Sequence, residues 1–170
     1  MIGLEQKTVV RRRNSESAFT FLEIIIVITI LSILTAASIP MVRNSVKRER
    51  EIDLRIALRQ IRQAIDAYKR YNDTTGGSAI PIELKTPSGY PKTLEVLSEG
   101  FVPSNVAGTS GNRIRFLRKI PVDPMTGNNE WGKRSNADDP DSPTWGGQDV
   151  FDVFSLSDGV ALDGTRYKDW

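Results

Sequence analysis

From Ile24 to Val42 the chain carries no charged side chain, and this run constrains the fold more than any other stretch. About 19 apolar residues in a helix, at a rise of about 1.5 Å each, cover the ~30 Å hydrocarbon core of a bilayer. The sequence therefore predicts a membrane-spanning helix over residues 19–42. A single carboxylate, Glu23, stands at its leading edge, where an ionisable group costs a few kcal/mol unless it finds a partner. Glu23 is for that reason a candidate functional residue.

The flanks orient the span. Residues 1–18 hold Lys7 and Arg11-Arg12-Arg13 against Glu5 and Glu16, so the positive-inside rule keeps this leader cytoplasmic and sends the bulk of the chain outward. A competing reading is an ordinary secretory signal cut after the small residues Thr35-Ala36-Ala37. Two features count against it. Glu23 interrupts the border between basic and apolar regions, and the apolar run continues to Val42 and joins an amphipathic helix. Within the run, Thr29, Ser32, Thr35 and Ser38 recur every three residues; their hydroxyls can bond back to carbonyls of the preceding turn, or allow close packing of helices. Pro40 lacks an amide hydrogen and is expected to kink or locally melt the helix.

Ala18-Phe19-Thr20-Phe21-Leu22-Glu23, with a basic leader before it and an apolar run after it, resembles the processing and assembly segment of type IV pilin-like proteins. The resemblance implies cleavage by a prepilin peptidase between Ala18 and Phe19, N-methylation of Phe19, and control of filament assembly by Glu23. Ala18 stands where the family carries Gly, and Pro40 matches the family's helix-breaking Pro. The residues support the same picture on physical grounds. Cleavage before Phe19 creates an ammonium at the membrane mouth, and Glu23 can pair with the ammonium of a neighbouring subunit in low dielectric, setting axial register. The alternative is a Glu23 solvated among lipid headgroups.

Residues 43–73 continue as an amphipathic helix. Val46, Ile52, Ile56, Ile61, Ala64, Ile65 and Tyr68 form its expected apolar face, while Glu51 with Arg55 and Arg62 with Asp66 form expected i,i+4 pairs on a solvated surface. Asn72 to Gly77 ends the helix. Residues 74–170 form the expected globular domain. Within it, Tyr90 to Gly100 reads as a short helix, Asn129 to Lys133 and Asp149 to Leu156 as strands, and Ser135 to Gln148 as a long loop. The expected class is α+β: a long N-terminal helix packed on a small antiparallel sheet.

Composition removes several kinds of chemistry. The 170 residues contain no Cys and no His, which excludes disulfides, thiol nucleophiles, Ser-His-Asp triads and most zinc sites. No pair of carboxylates stands out as an acid-base couple, so a non-enzymatic protein is expected. The pI near 9.0 belongs largely to the leader: without residues 1–18 the chain has 19 basic and 19 acidic residues, which implies no nucleic-acid partner. Charge is nevertheless segregated. Residues 43–70 hold nine basic and four acidic residues, and residues 138–170 hold two basic and eight acidic. Such opposite fields suit heterologous packing into an open helical filament, or compensate one another within the subunit.

Ile120-Pro121-Val122-Asp123-Pro124, Trp131-Gly132, Asp152 to Gly159 and the closing Trp170 resemble the globular domain of the major pseudopilin of type II secretion systems. That resemblance implies a structural subunit of a homo-oligomeric helical filament, anchored in the inner-membrane lipid by a single pass, with its N-terminus cytoplasmic and its domain periplasmic. Its implied partners are the prepilin peptidase, an inner-membrane platform, an assembly ATPase and minor pseudopilins. It also implies a calcium site with ligands at Asp158, Asp163 and the Leu156 carbonyl, in a loop with two Asp-Gly turns. Two alternatives remain: a surface pilus subunit for adhesion or motility, and a secreted binding domain or enzyme. The absence of Cys, where major pilins close a loop with a disulfide, favours the pseudopilin.

Overall fold

The computed structural model describes residues 20–104 and 112–170, the side chains of residues 37–42 excepted. The chain divides into two compact units, Met1–Val42 and Arg43–Trp170, and helix α1 (Phe21–Thr74) contributes residues to both.

In the first unit the helix begins at Thr20. Its Oγ1 accepts the Glu23 amide hydrogen bond at 3.2 Å, and its carbonyl accepts that of Ile24 at 3.2 Å. Thr20 is therefore the N-cap and Glu23 the third helical residue, the spacing of a capping box. The hydroxyls act locally, as expected: Thr29, Ser32 and Thr35 donate to the carbonyls of Ile25, Ile28 and Leu31, each at 2.7 Å. Every described side chain from Thr20 to Ala36 is exposed, so nothing within the described chain covers this apolar circumference. Among the described residues no helix is long and apolar enough to cross a membrane. The uncharged stretch with described side chains, residues 24–36, rises about 20 Å at the helical pitch. The rest of the expected span, with the expected kink at Pro40, falls where side chains lie outside the described residues.

In the second unit, α1 buries Leu54, Leu58, Ile61, Ile65 and Tyr68 with Ala57 and Ala64, a stripe spaced by three and four residues. This corrects the apolar face expected from the sequence: Val46, Ile52 and Ile56 are 45%, 54% and 47% exposed. Geometry explains the error. Nine residues separate Ile52 from Ile61, and at about 100° per residue that is a half-turn, so both cannot face one core. The helix stops at Thr74, one residue later than expected, and Gly76 and Gly77 follow with φ of 58° and 72°.

Helix α2 (Glu95–Glu99) is shorter than the expected stretch from Tyr90 to Gly100, and it places Leu94, Val96 and Leu97 in the core. Gly100 ends it with φ 68°; its amide bonds the Val96 carbonyl at 3.0 Å, and a Cβ there would lie 2.0 Å from the Ile114 carbonyl oxygen. Only glycine lets the chain turn and pair Phe101 with Ile114 in an isolated antiparallel bridge.

The sheet is small. Strand β1 (Gly132–Arg134) pairs antiparallel with β2 (Asp152–Phe154) in the register Gly132 with Phe154, Lys133 with Val153 and Arg134 with Asp152. Both strands are shorter than expected, yet helices with a two-stranded antiparallel sheet are the α+β class expected. Tyr68 joins helix to core, with its ring edge-on to Phe101 and Phe116 at 6.0 and 5.4 Å.

Two buried carboxylates organise the loops. Asp123, fully buried, accepts hydrogen bonds from the Met125 amide at 2.8 Å and the Ser155 hydroxyl at 2.6 Å. Asp149 accepts from the Ser135 hydroxyl, the Asn136 amide and the Ser88 hydroxyl. The long loop from Ser135 to Gln148 is thus tied at its base, and Trp145 Nε1 returns to the Asp149 carbonyl at 2.6 Å.

Candidate functional site

Two groups of residues were singled out by the sequence. In the first, Ala18 and Phe19 lie outside the described residues, as do the side chain of Pro40 and the processing junction itself. Glu23 is exposed at the start of α1, where the amide ends of the first turn favour a carboxylate by about 0.3–1 kcal/mol. Its place three residues after the capping Thr20 was readable in the spacing Thr-x-x-Glu.

In the second group, Leu156, Asp158 and Asp163 are all exposed. Asp163 is already engaged. Its Oδ1 accepts the Thr165 amide at 3.0 Å and the Thr165 hydroxyl at 2.6 Å, and its Oδ2 lies 3.4 Å from the Arg55 guanidinium. Those Thr165 hydrogen bonds foremost, with Arg55 adding, hold its carboxyl below the usual carboxylate range. Among the described residues no three acidic side chains converge where a metal could sit, and calcium asks for six to eight oxygens.

What fastens this loop is α1. Glu51 Oε1 accepts the Leu162 amide at 2.9 Å and the Tyr167 hydroxyl at 3.0 Å. Burial first, and then the facing Glu51 carboxylate, push the Tyr167 phenol up to about 12. The Arg55 guanidinium lies 4.2 Å over the Trp170 ring, and Trp170 Nε1 donates to Thr165 Oγ1 at 2.7 Å. Arg62 forks onto Asp152 at 2.6 and 3.2 Å and also donates to the carbonyls of Val153 and Trp170. The expected pairs of Glu51 with Arg55 and Arg62 with Asp66 are therefore not formed. Glu51, Arg55 and Arg62 turn instead to partners about a hundred residues away, and for Arg62 the partly buried, two-pronged bond is worth more than an exposed pair one helical turn along. Of the expected kind of pair, Lys69 with Asp73 is present, at 2.7 Å.

Among the described residues the arrangement shows no catalytic constellation. It offers a capped apolar helix with a carboxylate in its first turn, and a domain whose C-terminal loop is strapped to the continuation of that helix. Residues 13–39 match the prokaryotic N-terminal methylation motif. The segment that opens α1 thus carries a methylation motif. Over 147 residues, 85% of either chain, it is 29% identical to the type II secretion system core protein G of Pseudomonas aeruginosa. No solved structure matches it significantly.

Proposed function

We propose that the chain is the major structural subunit of a type II secretion pseudopilus. The observation that carries this reading is the methylation segment leading into a helix exposed on every described side from Thr20 to Ala36. A helix apolar all round is stable only when something else buries it. In this reading a bilayer does so before assembly, along residues 19–42, and neighbouring helices do so afterwards. The leader of residues 1–18 stays cytoplasmic, the domain is periplasmic, and a platform and an ATPase add subunits to a filament that helps export folded proteins. The chain has a structural and not an enzymatic role, with the prepilin peptidase and minor pseudopilins among its partners.

Intact-mass measurement on the membrane-extracted protein tests the reading. The expected species begins at Phe19 and carries one added methyl. A species beginning at Ser38 would instead make the apolar run a secretory signal.

The proposal extends to calcium. Asp158 has no side-chain partner among the described residues, and with the Leu156 carbonyl and Asp163 it would supply ligands once Asp163 leaves Arg55 and Thr165. At a hundredfold excess over its dissociation constant a bound ion adds about 2.7 kcal/mol. Millimolar calcium is expected to raise the melting temperature of the full chain in detergent, and Arg55→Ala is expected to enlarge that rise by freeing Asp163. Identical melting curves in calcium and EDTA would remove calcium from the proposal.

A further inference from the structure

The structure leaves charge unspent in two places. Of the nine basic residues from Arg43 to Arg70, Arg55, Arg62 and Lys69 have carboxylate partners. Among the described residues the other six, Arg59 included, have none. Of the eight acidic residues from Asp138 to Trp170, Asp152 and Asp163 are salt-bridged. Asp138 and Asp149 are occupied by hydrogen bonds within the loop. Asp139, Asp141, Asp158 and Asp169 have no cation partner among the described residues. Compensation within the subunit therefore accounts for only part of the segregated charge.

Each surplus has a shaped setting. Arg59 opens onto a groove of about 500 Å³ lined by Arg55, Leu58, Arg62, Asp66 and the Trp170 ring, among others. Arg55 and Arg59 lie one helical turn apart, a like-charged spacing that costs a few tenths of a kcal/mol until an anion bridges it. Asp66 offsets part of this charge, Arg62 is committed to Asp152, and Arg55 holds Asp163 only by one exposed contact at 3.4 Å, so an incoming acidic group would meet Arg59 first with Arg55 beside it. On the other side, Asp139-Pro140-Asp141 is an exposed turn held in shape from within. Asp138 Oδ2 accepts the Ser135 and Gly146 amides at 2.7 and 3.0 Å, and the Ser142 amide bonds the Asp139 carbonyl at 2.9 Å. The turn presents two carboxylates two residues apart and carries a proline that limits the entropy lost on docking.

We propose that the Asp139–Asp141 turn of one copy seats in the Arg55–Arg59 groove of the next. The two surfaces differ, so the contact is heterologous and repeats into an open filament instead of closing a dimer. Complementary charge at this contact fixes register between neighbours. The inference rests on the filament reading and names the side-by-side contact of its globular domains.

The chain has no Cys, which makes the test direct. Full-length Arg59→Cys and full-length Asp139→Cys are co-expressed and oxidised in assembled filaments. The expected product is a disulfide-linked dimer in the mixture and little or none with either variant alone; a chain carrying both substitutions gives a ladder. Asp139→Lys with Asp141→Lys is expected to reduce pelletable filament at least tenfold, and adding Arg55→Glu and Arg59→Glu to restore part of it. If the unsubstituted chain pellets as filament but the mixture gives no dimer and charge reversal changes nothing, the contact is wrong and the filament reading survives. If the unsubstituted chain forms no filament at all, both fall.

Discussion

Glu23→Ala is expected to cut pelletable filament more than tenfold while leaving the amount of chain in the membrane fraction unchanged. The substitution removes a charged group from the edge of an apolar helix, which makes insertion easier by a few kcal/mol. It also removes the proposed partner of the Phe19 ammonium on the neighbouring subunit, and an ammonium left unpaired in low dielectric is strongly destabilising. Capping complicates this comparison, because Glu23 is the third residue of a helix capped by Thr20. Glu23→Gln separates the two effects: glutamine completes a capping box as glutamate does, yet carries no charge. Both variants are expected to fail in assembly alike. Normal filament yield from Glu23→Gln would show that the carboxylate's charge is not what assembly needs.

Asp123→Ala is expected to destabilise the globular domain by about 3 kcal/mol, through the loss of two hydrogen bonds whose donors, one buried and one partly buried, are each worth roughly 1–3 kcal/mol when orphaned. The Met125 amide and the Ser155 hydroxyl both point at this fully buried carboxylate. Because domains of this kind have only about 5–15 kcal/mol in hand, the midpoint in urea should fall visibly. Ser155→Ala leaves Asp123 Oδ2 without its donor and the Ser157 amide without its acceptor, and is likewise expected to lower the midpoint. A shift of the Asp123→Ala midpoint equivalent to under about 1 kcal/mol would mean that the network does not hold the loops in the way described.

The sequence was most legible where a single physical demand dominates a long stretch. The uncharged run, the carboxylate at its edge and the helix that follows were readable because apolar length and period leave few alternatives. The class of the globular domain was readable from turn residues and two short β-rich stretches. The face of α1 was misjudged at Val46, Ile52 and Ile56, where an irregular spacing of isoleucines allows two stripes and only the position of the sheet selects one. Glu51, Arg55 and Arg62 were misjudged for a different reason. Each has an oppositely charged neighbour one turn away, so a local pairing conceals a distant one. Asp123 and Asp149 gave no signal, since a carboxylate in a Pro- and Gly-rich segment reads as a surface turn until its amide and hydroxyl donors are in place.

The strap between α1 and the C-terminal loop also sets an order of events. Glu51 and Tyr167 are 116 positions apart, and Arg62 and Trp170 are 108 apart. Contacts of such long sequence separation form late, after the intervening chain has been ordered. A chain delivered vectorially from its N-terminal end cannot close these bonds until Tyr167 and Trp170 arrive. Up to that moment the buried stripe of α1 lacks part of its cover, and Glu51 lacks its hydroxyl and amide donors. The domain is finished only once Tyr167 and Trp170 are in place, and a chain lacking them is expected to be more open to proteolysis.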